Sequence, residues 1–442
     1  MKILHYGLGF PPYRTGGLTK FTVDLMKQQI KMGHDVSLLW PGQIKLFGRK
    51  NKITYRGTVD GINSYEIINP TPVSYDEGIS NIDPFVVDGE LEVYDDFFHE
   101  TKPQVLHVQT LMGIHRNLLV SAKNHGVRIV FSTHDFFPIC PKVTMFRKND
   151  VCRTVKNCEY CYVCNQSALS LYKMILLQSP FYRGIKNLKI VSRMRQKHRN
   201  EFLGGNECSS NFGTAESTII YKKLRDYYRE LLGLMDVIHY NSLLTKKVYE
   251  KYMGNFDSEV IPISHNDIQN HIHLKKFDHD VLHLVYLGPY GRAKGFFFLK
   301  NALDEVWEKK RKFIIDVFFE VADLPEYVNT HERYTYDDLE KIFDSVDALI
   351  VPSVWYETFG YTVAEALSYG VPVIVSSHVG AQDIIPNQGG IVYTANSKDE
   401  LVKILIGLDS RKLESMNASI CETYEVVTLN QMAERLYQIL YK

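Results

Sequence analysis

The sequence predicts an α/β protein of two domains, each a parallel sheet covered by helices on both faces. Three observations carry this. The chain has 442 residues, more than one hydrophobic core usually organises. Short apolar runs alternate with helical patterns up to about residue 265, and a second alternation starts near residue 280. Strands that alternate with helices build parallel sheets buried on both sides.

The first alternation begins at the N-terminus, where Ile3, Leu4 and Tyr6 lie in a strand-like run. A glycine-rich loop follows, then a helix on which Leu18, Phe21, Leu25 and Met32 fall near one face, with Gly33 suited to stop it. Residues 36–40, 105–109 and 128–132 read as strands, and a helix near 222–234 leads to another strand at 237–241. The stretch 140–225 fits the alternation poorly and reads as an insert in a first domain spanning 1–265. The polar, histidine-rich segment 264–280 reads as the linker. The second domain, 280–425, is expected to hold strands at 282–287, 313–319, Ala348–Val351 and 371–375 and helices at 296–310, near 337–344 and at 361–369. A last helix, about 428–442, is expected to pack back on the first domain.

Composition narrows the function. Apolar residues make up 45% of the chain, a globular value. Lys plus Arg, 51, balance Asp plus Glu, 51, which argues against a surface dedicated to nucleic acid. The sequence holds no apolar run of membrane-spanning length and opens without signal-peptide features, so a cytoplasmic protein is expected. Five of the seven cysteines lie between Cys140 and Cys164. Bunched cysteines without a secretion signal suggest reduced thiols or a metal site rather than disulfides.

The segment 352–366 holds the strongest chemical pattern. A buried strand ends at Val351, a loop carries Glu357, and a helix begins near Gly360 with Glu365 more than a turn inside it. Ligands of open α/β sheets bind outside the carboxyl ends of the strands, and a helix N-terminus favours phosphate. Taken alone, two glutamates at this spacing are two solvated side chains. The flanks extend the pattern: Glu357-x-Phe359-Gly360-x4-Glu365, then Gly370-x-Pro372-Val373-Ile374, resembles the signature of family 4 glycosyltransferases.

That resemblance implies two Rossmann-like domains facing each other across a cleft, the GT-B fold, and a retaining transfer from a nucleoside-diphosphate sugar. It places Glu357 against the donor sugar, Glu365 on the nucleotide ribose, and the Phe359-Gly360 backbone near sugar and phosphate. Its N-terminal pattern, a proline-containing loop, Gly-Gly and a helix ending Gly-His-x-Val, is met by Pro11, Pro12, Gly16-Gly17 and Gly33-His34-Asp35-Val36. Gly16 and Gly17 then abut the diphosphate; the loop lacks the third glycine of a dinucleotide fingerprint. In Gly288-Pro289-Tyr290-Gly291-Arg292-Ala293-Lys294-Gly295, Lys294 and Arg292 are cations suited to a diphosphate leaving group. Lys294-Gly295 matches the family, whereas the usual arginine is Pro289 here and Arg292 is its shifted substitute. His134, after the strand at 128–132, is carried over as an active-site contact, with Asp135 beside it.

Two features lie outside that pattern. Cys152, Cys158, Cys161 and Cys164 have enough thiolates for a structural zinc, but irregular spacing leaves reduced thiols as the other reading. The family needs no catalytic metal or cofactor. Between Glu159 and Glu201 no acid occurs, yet Lys173, Arg183, Lys186, Lys189, Arg193, Arg195, Lys197 and Arg199 do, among aromatic and aliphatic residues. Such a stretch, 173–199, suits an anionic membrane face or a lipid-phosphate acceptor; a solvated helix packed on the core is the plainer reading. The expected activity moves a sugar to a hydroxyl of a glycan, glycolipid or protein acceptor, in surface polysaccharide or glycoconjugate synthesis. An inactive GT-B partner that binds glycan and a GT-B sugar-nucleotide epimerase are the alternatives.

Overall fold

The computed structural model describes all residues except 46, 49, 75–77, 148, 154–159, 186–187, 189–214, 278–279 and 310–311, and only the backbone of 215–218. Its strands are β1 (Lys2–Tyr6), β2 (Asp35–Pro41), β3 (Lys52–Val59), β4 (Ile62–Ile68), β5 (Val105–Val108), β6 (Arg128–Thr133), a two-residue hairpin β7–β8 (Phe146–Arg147, Asp150–Val151), β9 (Val237–Tyr240) and β10 (Ser258–Val260). A second set follows: β11 (Leu282–Tyr286), β12 (Phe313–Val317), β13 (Val328–Thr330), β14 (Ala348–Val351), β15 (Val373–Ser376) and β16 (Gly390–Tyr393).

The first sheet has the order β10-β9-β6-β5-β1-β2-β4-β3, parallel except for the antiparallel edge pair β3–β4. The second has the order β13-β12-β11-β14-β15-β16 and is parallel throughout. In each sheet the chain reverses direction of growth beside its first strand, between β1 and β5 and between β11 and β14. A crevice opens outside the carboxyl ends of the strands at such a point. The loops after β11 and β14 carry Lys294 and Glu357, and the loop after β1 carries Gly16-Gly17.

Helix α1 (Gly17–Lys31) packs against residues of both sheets and of the C-terminal helix. Phe21 and Leu25 share one apolar cluster with Phe359, Val363, Met432 and Leu436, so the two sheets and the C-terminal helix have a common floor. That helix, Leu429–Leu436 running on through Tyr437–Tyr441, starts with a reciprocal Thr428–Gln431 cap and lies on the first sheet. Gln28 donates to Asn430 Oδ1 (2.6 Å), and Arg128 Nε donates to the Leu440 carbonyl (2.6 Å).

The insert is stitched to segment 71–80. Ile79 N–H donates to Asn165 Oδ1 (2.8 Å), Val73 N–H to Gln178 Oε1 (3.0 Å), and Tyr221 hydroxyl to the Ile79 carbonyl (2.8 Å). Several boundaries differ from the sequence expectation. The helix expected from residue 222 already begins at Ala215, and the strand expected to reach 319 ends at Val317. There Phe318 leaves the ladder to stack on His331 and meet Tyr334 edge-on. The helix near 337 starts as a 3-10 turn, Tyr336–Asp338, under a Thr335–Asp338 capping box.

Candidate active site

Glu357 is fixed through its backbone before its side chain is considered. Its N–H donates to the His378 carbonyl (2.9 Å) and its carbonyl accepts from Gly380 N–H (3.1 Å). The side chain, 11% exposed, receives three donors on one oxygen, Oε1: Lys294 Nζ at 2.5 Å, Ser353 Oγ at 2.9 Å and Trp355 Nε1 at 2.9 Å. Burial alone would raise this carboxyl, but the Lys294 charge and the three hydrogen bonds hold it below the ordinary glutamate range. The group is a carboxylate whose three donors all meet Oε1.

Lys294 reaches Glu357 because Gly295 lets the loop approach β14. Gly295 has φ +85°, and a Cβ there would stand 1.9 Å from the Pro352 carbonyl oxygen. Tyr286, buried, donates to the Pro289 carbonyl at 2.9 Å and holds the loop from beneath. Arg292 is not brought to this pair. It is exposed, and its Nη1 meets Asn149 Oδ1 of the insert at 3.3 Å.

Two helix starts meet across the cleft. Gly360 (φ +100°) precedes the helix Tyr361–Ser368, Gly16 (φ +111°) precedes α1, and neither start is capped by a side chain. A Cβ on Gly17 would stand 3.6 Å from the Tyr361 ring, so the two positive dipole ends lie close together. The loop 357–360 is also gripped from the first domain. Ser242 Oγ (2.6 Å) and Thr245 Oγ1 (2.9 Å) both donate to the Thr358 carbonyl, and Thr358 Oγ1 donates to the His134 carbonyl (3.2 Å).

His134 thus stands beside Glu357's loop, its ring against Phe21 and its Nε2 2.9 Å from Gln109 Oε1. Burial, with His239 adding to it, lowers its pKa to about 3, so the ring is neutral. Gln109 leads to a buried chain: His5, Gln29, Tyr441, His107, Ser132 and His239, ending on the Ile261 carbonyl. Asp135 turns away, its carboxylate accepting from Phe137 N–H at 2.9 Å.

Glu365 is 3% exposed, and its Oε1 accepts from His265 Nε2 at 2.8 Å. Sequence reasoning singled out Glu365 but missed His265, and likewise missed Ser353, Trp355, Ser242 and Thr245. Ser242 carried a signal, a serine between an apolar strand and a helix, and it does cap that helix by accepting from Thr245 N–H (3.1 Å). The others act through contacts that no local pattern announces.

The cysteine reading gains no support. Cys158 lies outside the described residues; Cys140, Cys152, Cys161 and Cys164 line one cavity of the insert. Among the described residues, the group of three His, Cys, Asp or Glu ligand atoms converging within 4.8 Å is Asp24, His265 and Asp267, not three cysteines. Burial and the neighbouring Cys152 push the Cys140 thiol up to about 11. Of the basic stretch, Lys186, Lys189, Arg193, Arg195, Lys197 and Arg199 lie outside the described residues. Arg183 is not a free cation, since it pairs with the buried Glu66 at 3.0 Å. Among the described residues no helix is long and apolar enough to cross a membrane.

Residues 268–417, which carry Lys294, Glu357 and Glu365, match the family "Glycosyl transferases group 1". This segment is thus similar to the group 1 glycosyl transferase domains. An uncharacterized glycosyltransferase of Methanocaldococcus jannaschii is 31% identical over 126 residues, 26% of this chain and 32% of that protein. An uncharacterized 41.2 kDa protein of the cps region of Klebsiella pneumoniae is 26% identical over 141 residues, 31% of this chain and 38% of that protein. The chain therefore spans only about a third of the length of these curated relatives. Over the whole chain, the sucrose-phosphate synthase of Thermosynechococcus elongatus superposes with a TM-score of 0.57 at 12% identity, covering 99% of this chain and 98% of that one. The group 1 domain and the sheet before it together make a GT-B fold.

Proposed function

We propose that the protein is a retaining glycosyltransferase that takes a sugar from a nucleoside-diphosphate donor bound in the cleft. The observation that carries this is the carboxylate–ammonium pair Glu357–Lys294 at the switch point of the group 1 domain, opposite the Gly16-Gly17 helix start. Glu357 Oε2 accepts from a hydroxyl of the donor sugar and orients it. Lys294 and the Gly17 and Gly360 helix starts meet the charge that grows on the departing diphosphate. Preorganised charge of this kind is commonly the largest catalytic term.

Departure of the diphosphate breaks the anomeric C–O bond, and the acceptor hydroxyl attacks from the same face, its proton passing to the leaving phosphate oxygen. His134, neutral and bonded to Gln109, contacts the sugar. Glu365 accepts from the nucleotide ribose. No metal enters these steps. The acceptor is a hydroxyl of a glycan or lipid-linked glycan, approached from the first domain and its insert, and the cps-region relative supports a place in surface polysaccharide synthesis. Exposed Tyr172, next to Lys173 in the chain, and exposed Phe181 support a peripheral contact of the insert with an anionic membrane.

A thermal-shift panel of UDP-, GDP-, ADP- and dTDP-sugars tests the reading, because a bound ligand raises apparent stability by mass action. One nucleotide class should raise the melting temperature of the native chain and not that of Lys294→Met. Absence of any shift across the panel rejects the donor site.

A further inference from the structure

His265 sits where the two domains meet the linker, fully buried, and its ring is fixed at both nitrogens. Asp267 N–H donates to Nδ1 (3.2 Å), which makes Nε2 the donor nitrogen, and it donates to Glu365 Oε1 (2.8 Å). Behind it, the Asp267 carboxylate lies 3.4 Å from Nδ1 and 2.6 Å from Lys20 Nζ. Lys20 belongs to α1, the helix that begins at Gly17, and it also pairs with Asp24 at 3.0 Å and sits 4.3 Å over the Tyr336 ring. Asp24 in turn accepts from Asn266 N–H at 3.1 Å. The converging ligand atoms of Asp24, His265 and Asp267 resemble a cation site, but the Lys20 ammonium is the cation that neutralises its two carboxylates.

The result is a continuous chain of contacts, Lys20–Asp267–His265–Glu365, from the first domain through the linker into the group 1 domain. Glu365 needs such support. A buried carboxylate on a helix has rotamer freedom, and a ribose diol is read well only if both its oxygens face the two hydroxyls. With Oε1 held by His265, rotation about the last side-chain bond is restrained.

We propose that His265 is a positioning residue that orients Glu365 to read the ribose 2′- and 3′-hydroxyls, making the donor site selective for ribonucleotides over 2′-deoxynucleotides. This rests on the donor-site reading above. Loss of the His265 N–H weakens recognition of the diol specifically, whereas a merely structural role would weaken all nucleotides alike. A hydrogen bond to a charged group is worth about 10- to 100-fold in affinity.

The test is isothermal titration of the full chain with UDP, GDP and ADP and with their 2′-deoxy analogues. The native chain should prefer the ribonucleotide by about 30-fold. In His265→Leu that preference should fall to about 3-fold, with the ribonucleotide weakened about 10-fold and the deoxynucleotide nearly unchanged. His265→Gln, whose amide can still donate to Glu365, should keep most of the preference. Where His265→Leu does not fold, His265→Asn, too short to reach Glu365, gives the same reading. An unaltered preference in the leucine or asparagine variant, or an equal loss for both nucleotides, overturns the proposal. Tighter binding of deoxynucleotides by the native chain overturns it too, while leaving the donor site standing. Failure of the native chain to bind any of these nucleotides defeats the donor-site reading itself.

Discussion

Lys294 Nζ lies 2.5 Å from Glu357 Oε1, and the pair joins the loops that leave two adjacent strands, β11 and β14. The same ammonium that faces the cleft therefore also sets the ionisation of the carboxylate beside it. Lys294→Met should lower kcat by about 100- to 1000-fold, the usual loss for one preorganised charge at a leaving group. It should also raise the pKa of Glu357, because burial is then unopposed by the lysine charge. The acidic limb of the pH–rate profile of residual activity should move to higher pH. An unmoved limb would show that the pair does not act as a unit.

Ser353 and Trp355 each act on Glu357 through one uncharged hydrogen bond. Ser353→Ala and Trp355→Phe each remove one donor from Glu357 Oε1; the first is nearly isosteric and the second keeps an aromatic ring. Each should reduce kcat/KM by about 10-fold, consistent with one hydrogen bond to a charged acceptor. Steady-state kinetics beside circular dichroism of each variant checks this.

Gly295 and Gly291 lie in one loop but are not equivalent. Gly295→Ala forces a Cβ against the Pro352 carbonyl at a positive φ, whereas a Cβ at Gly291 meets nothing within 4 Å. The first change should cost about 2 kcal/mol or more and abolish nucleotide binding. The second should stay within about 0.5 kcal/mol. Urea unfolding with a nucleotide titration separates the two.

The buried histidines make stability depend on acid. Burial lowers His5, despite a partly compensating bond from Gln29, and His239, despite its bond to Ile261, to about 4, and lowers His134 to about 3. Unfolded histidines titrate near 6.5, so above that pH neither state binds these protons and stability is level. As pH falls from 6.5 toward 4 only the unfolded chain takes them up, and stability is lost. Each such histidine contributes on the order of 3 kcal/mol by pH 4. The denaturation midpoint should fall across this window, and His239→Gln should make the fall shallower by about one proton.

Much of this architecture was legible in the sequence, for a physical reason. Buried parallel strands read as largely apolar runs, and β1, β5, β6, β9, β11 and β14 do so, although a histidine interrupts β1, β5, β9 and β11. The edge hairpin β3–β4 was missed because Tyr55, Arg56 and Thr58 face solvent and a bulge at Tyr55/Thr58 breaks the alternation. Its turn was nevertheless signalled by Asp60-Gly61, which take φ 52° and 81° as a two-residue hairpin requires. At the site, Glu357, Lys294, Gly360 and Gly17 could be read from spacing and resemblance. Arg292 could not be placed, since loop direction decided that it faces Asn149. His265 was hidden in a segment that reads as linker, because its importance lies in a partner 100 residues away.

The most direct test is to incubate the purified chain with radiolabelled UDP-, GDP-, ADP- and dTDP-sugars and measure release of sugar or nucleoside diphosphate. The account predicts that one donor is cleaved by the native chain, and that Glu357→Gln, folded and still able to bind nucleotide, cleaves it at least about 100-fold more slowly. Equal cleavage by Glu357→Gln, or no cleavage of any donor by the native chain, would contradict it.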